Sequence, residues 1–326
     1  MDDIVMLCRI TVILLIPLSI EMFSEKMMGH NFFSVFGGVP EIPDIRNGRI
    51  RAQGPFAHSI LAGTVGAVCL PLVIILWKKY RKTSIAGIAA CTAIIFSSSS
   101  SGPIMSVLIA IGAMLMWNWR HYMRFVRRFA ILGYIGLDLV MNAPVYYLIA
   151  RIDLTGSSTS WHRAALIEAA IDHFSEWWLV GTDFTRHWIA YGVPWSANHV
   201  DITNHYLVMG VKGGLPLMLL WIAILIKGFS FVGQTLRQET SLPPESRFMM
   251  WALGSSLFAH AVTFISVSYF DQSVLFIYLT LAVICTGYTQ TMESSVGQDF
   301  RHHNRDTFTV KYKVQSRSAG GKLGNH

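Results

Sequence analysis

Ser59-Ile60-Leu61-Ala62-Gly63-Thr64-Val65-Gly66-Ala67-Val68-Cys69-Leu70-Pro71-Leu72-Val73-Ile74-Ile75-Leu76-Trp77 is nineteen residues without one charge, closed by Lys78-Lys79. At about 1.5 Å per helical residue it matches a hydrocarbon core of about 30 Å. Working outward, comparable apolar runs lie at 4–20, 84–96, 103–119, 129–149, 205–226, 248–267 and 272–290. A soluble core has no use for so many. Apolar residues make up 52% of the chain and charged residues 14%, against about 25% charged in soluble domains. The fold class predicted is all-α, a polytopic transmembrane helical bundle of about eight spans. The third run is short and leads into Ser97-Ser98-Ser99-Ser100-Ser101-Gly102-Pro103, so 84–119 reads as a helical hairpin with a polar turn.

Basic residues set the orientation. Segments 78–83, 120–128, 227–247 and 291–326 hold 17 Lys and Arg in 72 residues; segments 21–59, 97–103, 150–204 and 268–271 hold 7 in 105. Both termini are therefore expected on the cytoplasmic side, with the long loops 21–59 and 150–204 facing out. Residues 1–290 form the transmembrane domain. Residues 291–326, with Arg301, Arg305, Lys311, Lys313, Arg317 and Lys322, read as a disordered basic tail near anionic lipid. Asp2 and Asp3 precede the first run and no small-residue cleavage site follows it, so a cleaved signal peptide is not expected. Cys8, Cys69, Cys91 and Cys285 all fall in apolar runs. No CxxC, HExxH, DxD, P-loop or GxGxxG is present, so neither metal nor cofactor is expected, and no nucleic-acid partner.

The outward loop 150–204 contains a helix from about Ser160, the expected N-cap, to Phe174. Glu168, Asp172 and Glu176 repeat every four residues on one stripe; Leu166, Ala170, Phe174 and Trp177 lie on an apolar one. Trp161, Trp177, Trp178, Trp188 and Trp195 crowd this loop, and indoles favour the membrane interface, so the helix is expected to lie along the outer surface. A purely structural interfacial helix is the bland alternative. Arg51, Arg151, Arg163 and Arg186 share that compartment with His58, His162, His173, His187, His199 and His205. Guanidinium groups suit phosphate, and imidazoles accept protons near neutral pH. Asn204 and His205 open the sixth span, where free N–H groups favour negative charge. Gly210, Gly213 and Gly214 allow close packing there, and Lys212, two turns in, is expected to face the bundle interior or a wet cavity. Asp138, alone in the fifth span, marks either a proton path or a polar pair.

An ordered set of short motifs resembles the O-antigen ligase and polymerase superfamily of bacterial membrane proteins. The set is Arg51-Ala52-Gln53-Gly54-Pro55-Phe56-Ala57-His58, the Ser-rich turn ending in Gly102-Pro103, Trp161-His162-Arg163 opening a loop helix, and Asn204-His205-Tyr206-Leu207 followed by Gly213-Gly214-Leu215. The chain departs from the family in having Gly102-Pro103 where an Arg is common, in the order Asn204-His205, and in its short N-terminal part. The resemblance implies polymerisation of undecaprenyl-pyrophosphate-linked repeat units at the outer face of the bacterial inner membrane. The glycosyl transfer needs no metal. Arg163 is then the first choice for stabilising the leaving pyrophosphate and His205 for taking the acceptor proton. Arg51, Arg186, Lys212, His58, Asn204 and His199 bind substrate, with His199 also a rival base. A chain-length regulator and a flippase are the implied protein partners, beside membrane lipid. A ligase sharing this donor, a small-solute transporter and a non-catalytic assembly partner remain the alternatives.

Overall fold

The computed structural model describes residues 2–148, 160–238 and 242–293. Arg151, most of the 291–326 tail and the Ser160 cap lie outside what it describes. Among the described residues the chain is all-α apart from one small hairpin. Among the described residues, five helical stretches are long and apolar enough to cross a membrane: Asp2–Met28, Ser59–Trp77, Ser101–Val140, His205–Arg237 and Val274–Glu293.

The uncharged run quoted first is the axis. Helix α2 (Ser59–Ile74) is buried at every residue from Leu61 to Val73. Around it pack α1 (Asp2–Met28), α3 (Arg81–Ser97), α4 (Ser101–Leu115) and a later helix, Pro244–Thr263. Close approach depends on small residues, since lipid supplies no hydrophobic drive between helices. A Cβ on Gly63 would lie 2.5 Å from both Pro103 Cγ and Ser98 Oγ. Outside this core, Ile13 and Leu14 of α1 and Phe129, Leu132 and Leu139 of α5 (Met123–Val140) are exposed. Such faces are what a bilayer covers.

The expected hairpin over 84–119 is present. Ser98 to Ser100 make the turn, and α4 restarts at Ser101 with Gly102 and Pro103 in its first turn, where Pro is tolerated. The fourth and fifth expected runs are two α-helices, α4 and α5 (Met123–Val140), separated by a 3₁₀ segment, Met116–Tyr122; together they form the helical stretch Ser101–Val140. Every residue of α5 from Phe129 to Val140 is exposed, Asp138 included, so that carboxylate has no buried partner to pair with. The four cysteines are free thiols.

The remaining elements carry the long loops 21–59 and 150–204 and the later helices. After α1 comes a 3₁₀ turn, Phe32–Phe36, and an antiparallel hairpin of β1 (Asp44–Arg46) and β2 (Arg49–Arg51). Further on are α6 (Ser160–Asp172), a single turn at Phe174–Trp177, α7 (His205–Arg237), α8 (Pro244–Thr263) and α9 (Val274–Glu293). Helix α6 ends at Asp172, slightly before the expected Phe174. Leu166, Ala170 and Trp177 of the expected apolar stripe are buried, while Phe174 is exposed.

Helix α7 is broken at Gly213 (φ −154°, ψ 23°) and Gly214 (φ 73°, ψ −178°). The break lets the 178–182 stretch of the long loop dock on backbone. Thr182 N–H donates to the Val211 carbonyl (2.9 Å), and Leu215 N–H donates to the Trp178 carbonyl (2.7 Å). Gly181 (φ +88°) and Gly214 have room for no side chain: a Cβ would fall 2.2 Å from Val211 O and 2.3 Å from Leu179 O, respectively. Both also need the left-handed backbone that glycine adopts freely. Lys212 is exposed, so of the two placements expected for it the bundle interior is not the one it takes. It ends a two-turn helical segment rather than sitting within a continuous span, and a cation is favourable at that C-terminus.

Gly181→Ala or Gly214→Ala should lower the thermal midpoint of the detergent-solubilised protein by several degrees, a cost of order 1–3 kcal/mol. Gly233→Ala, where a Cβ meets open space, should leave it unchanged or raised.

Candidate functional site

One end of the bundle collects the polar side chains. It is the end of the α1 C-terminus, the α2 N-terminus and the Ser98–Ser100 turn. Its foundation is Glu25, fully buried in the last turn of α1. Gln53 N–H and Gly54 N–H donate to its carboxylate at 3.1 and 2.8 Å. Asn31 Nδ2 donates to the Gly54 carbonyl (2.8 Å). This fixes the loop 52–58 that carries Arg51 on one side and His58 on the other.

Arg51 is buried, its two guanidinium nitrogens donating to Asp44 Oδ2 and Ser100 Oγ, both at 2.9 Å. Ser100 Oγ also lies 3.4 Å from Ser59 Oγ. The Ser-rich turn is therefore a set of acceptors for the basic side chains opposite. Lys26 Nζ reaches Ser99 Oγ and, at 3.4 Å, the Ile50 carbonyl. His58 is the N-cap of α2, its Nδ1 accepting from Ile60 N–H at 3.1 Å.

The hairpin adds two residues that the motif reading did not single out. Asn47 (φ 52°) and Gly48 (φ 71°) form a two-residue turn, and the register places Arg46 opposite Arg49 and Asp44 opposite Arg51. Directly opposed residues hold their Cβ atoms about 4.5–5.5 Å apart, and like charges there repel. Asp44 compensates Arg51. Nothing of opposite sign sits in register with Arg46 and Arg49. Burial above all, helped by Arg51 and Arg46 and opposed by Asp44 and Asp271, pushes His58 down to about 4. Burial and Arg46 likewise lower Arg51, against the pull of Asp44. The sequence signal was Asn47-Gly48 between alternating residues, a strong hairpin marker.

The second cluster lies on the 160–205 loop. His162 is buried, with Nε2 3.0 Å from the Asp201 carbonyl. That carbonyl only accepts, so Nε2 carries the proton and Nδ1 keeps a lone pair, buried and unpartnered among the described residues. Arg163 is half-buried. Burial raises the Asp201 carboxyl, while His162 and Arg163 draw it back. Asn204 caps α7 by accepting from Leu207 N–H at 3.2 Å, and His205 follows inside. His205 is 1% exposed and stacks on Phe264 at 4.6 Å, with Trp221 and Tyr269 around it. Its Nδ1 accepts from Tyr269 N–H (3.2 Å), which leaves Nε2 as the protonated, enclosed nitrogen. The ring thus turns no lone pair to solvent in this packing. His199 Nδ1 is 3.5 Å from Thr185 Oγ1, and Arg186 donates to the Gly192 carbonyl at 3.4 Å.

One segment, 264–273, joins the clusters. Phe264 and Tyr269 hold His205, while Asp271 Oδ2 accepts from Ala57 N–H at 2.8 Å beside His58. The contacts bring Arg51 and His58 into one cluster and His162, Arg163 and Asp201 into another. Arg186 and Lys212 belong to neither. A cavity of about 510 Å³ lies at the other end of the bundle, lined by Asp2, Lys78, Lys79, Trp117 and Glu245, remote from all of these groups. In comparison with known proteins, no family model matches the chain and no curated protein matches it.

The unfolded chain protonates His58 near its ordinary value of 6.5, the folded chain only near 4. Its contribution to stability is therefore complete above 6.5 and falls through the window down to about 4 as pH drops. Unfolding of wild type and His58→Gln across that window should show a shallower pH dependence in the variant; equal slopes would remove His58 as the titrating group.

Proposed function

We propose that the chain polymerises oligosaccharide repeat units carried on a polyprenyl pyrophosphate, by metal-independent glycosyl transfer at the outer face of a bacterial inner membrane. The observation that carries the reading is the uncompensated Arg46–Arg49 pair on the hairpin beside Arg51 and Lys26. Asp44 is taken up by Arg51 and the Glu25 carboxylate by backbone N–H groups, so Arg46 and Arg49 are left to meet a ligand that is both strongly anionic and lipid-anchored. A pyrophosphate on a polyprenyl chain has both properties, and the ordered motifs from Arg51 to Leu215 resemble those of proteins that use it. The finer topology belongs to the same proposal: eight crossings, both termini cytoplasmic, and the hairpin and α6 outside, resting on the distribution of Lys and Arg.

In this mechanism the glycosidic bond to the pyrophosphate breaks as the acceptor hydroxyl bonds to the anomeric carbon. Pyrophosphate is already a good leaving group and needs its growing charge neutralised more than it needs a proton. Fixed guanidinium groups supply that. Arg46, Arg49 and Arg51 hold the donor, Arg163 is the cation on the loop, and Lys212 and Arg186 extend the positive potential. The hydroxyl proton goes to an imidazole with a free lone pair. We assign that role to His199, half-buried beside Thr185, because His162 and His205 are each 1% exposed, and His205 orients the segment 264–273 against which the site is built. Asn204, His58 and His199 offer hydrogen bonds to sugar hydroxyls. A flippase would supply the donor, and a chain-length regulator would act on the product.

The test is the size distribution of cell-surface and secreted polysaccharide in a deletion strain carrying wild type, Arg49→Ala or Arg163→Ala. Long chains should be restored by wild type only, with single repeat units left on the lipid carrier by both variants and unchanged protein levels in the membrane. Completed polymer stranded on its carrier would assign a ligase instead. Normal polymer from both variants would contradict glycosyl transfer at these residues.

A further inference from the structure

His173, Glu176 and His187 lie outside both clusters described above. One ligand atom from each lies within 4.8 Å of the other two. They come from the residue after α6, the single turn Phe174–Trp177 and the 3₁₀ turn Arg186–Trp188, so three short pieces of the outward loop converge on one point. We propose that these three side chains form a binding site for a divalent transition metal of the zinc type. Two imidazoles and one carboxylate are a zinc donor set, and three protein ligands leave a further position open to water or to a ligand oxygen.

The second layer of contacts supports the assignment. His173 Nδ1 is 2.9 Å from the Ala169 carbonyl, which only accepts, so the proton sits on Nδ1 and the Nε2 lone pair is available. Its ring is further held parallel to Trp188, at 5.7 Å and 18°. Trp188 is buried, and its Nε1–H donates to Glu176 Oε2 at 3.0 Å, aiming the carboxylate. The His187 ring is stacked on Phe184 at 5.1 Å, with its Nε2 3.0 Å from the Glu176 carboxylate. Metal ligands are commonly oriented by such outer hydrogen bonds and ring contacts. Without metal, a proton on His187 Nε2 bridges to Glu176. Metal takes that place, and the proton leaves or moves to Nδ1. The three ligands are half-buried or exposed, so an ion can enter. A bound ion would tie the Phe174–Trp177 and Arg186–Trp188 turns together over the outer mouth of α7. The proposal stands apart from the glycosyl-transfer reading and needs no activity assay.

The full chain, purified in detergent and stripped with a chelator, is titrated with Zn²⁺ against a chromophoric competitor, and with Co²⁺ while visible absorption is read. Wild type should take up one ion per chain and give the intense d–d bands of a low-coordinate Co²⁺ site. Glu176→Gln and His187→Gln should abolish the bands and lower Zn²⁺ affinity at least ~10-fold, and Trp188→Phe, which removes the N–H aimed at the carboxylate and shrinks the ring stacked on His173, about 10-fold. His302 and His303 in the tail are the competing ligands, so the pair His302→Ala and His303→Ala should leave binding intact. Undiminished binding by Glu176→Gln and His187→Gln, or loss of binding in the tail variant alone, would overturn the site. Unchanged thermal midpoints without metal show that the loop variants are folded.

Discussion

The polar end of this helical bundle depends on a buried carboxylate. Glu25 sits in the last turn of α1, where the helix dipole is unfavourable to an anion, and it is removed from solvent. Only the N–H groups of Gln53 and Gly54 make that position tolerable. The same contact decides where the following chain goes. With residues 53 and 54 pinned to α1, Arg51 is directed back onto Ser100 and Asp44, and His58 becomes the cap of the central helix. Asp271, by accepting from Ala57 N–H, then brings the last loop against the same segment.

The helices below answer to a different constraint. Backbone groups must be satisfied within the bundle and close contact must come from shape. That is why α2 is lined with Gly63 and Gly66 against the Ser98 side chain and the Cys91 backbone. The break at Gly213 and Gly214 follows the same logic. Irregular backbone at the mouth of α7 is covered by the Trp177–Gly181 stretch, whose own backbone groups complete the hydrogen bonds. The aromatic enclosure of His205 by Phe264, Trp221 and Tyr269 couples this mouth to the loop that reaches His58.

The spans were legible because nineteen uncharged residues between His58 and Lys78 have one physical meaning. The polar turn at Ser98–Ser100 was legible for a similar reason. What the apolar runs could not convey was tertiary placement. Lys212 looked interior by its distance along a helix, but a two-glycine break ends that helix just after it. The fourth and fifth runs are two helices, but no Gly or Pro between Met116 and Leu132 marks in the sequence where the 3₁₀ segment divides them. The hairpin was readable in principle from Asn47-Gly48, and its register would have exposed the Arg46–Arg49 conflict; attention to motifs passed over it. His205 was prominent by motif, and only its packing shows that the lone pair is already used. His173, Glu176 and His187 have no recognisable spacing, because a loop rather than a single helix brings them together.

The central claim is that the outward end, and the hairpin in particular, holds a lipid pyrophosphate. Calorimetric titration of the purified protein with a short-chain polyprenyl pyrophosphate tests it most directly, comparing wild type with the double variant Arg46→Gln, Arg49→Gln. Loss of charge-assisted contacts at about 1.5–3 kcal/mol each predicts affinity at least ~10-fold weaker in the double variant, and a smaller loss for the matching monophosphate. Equal affinity for wild type and double variant would contradict the account.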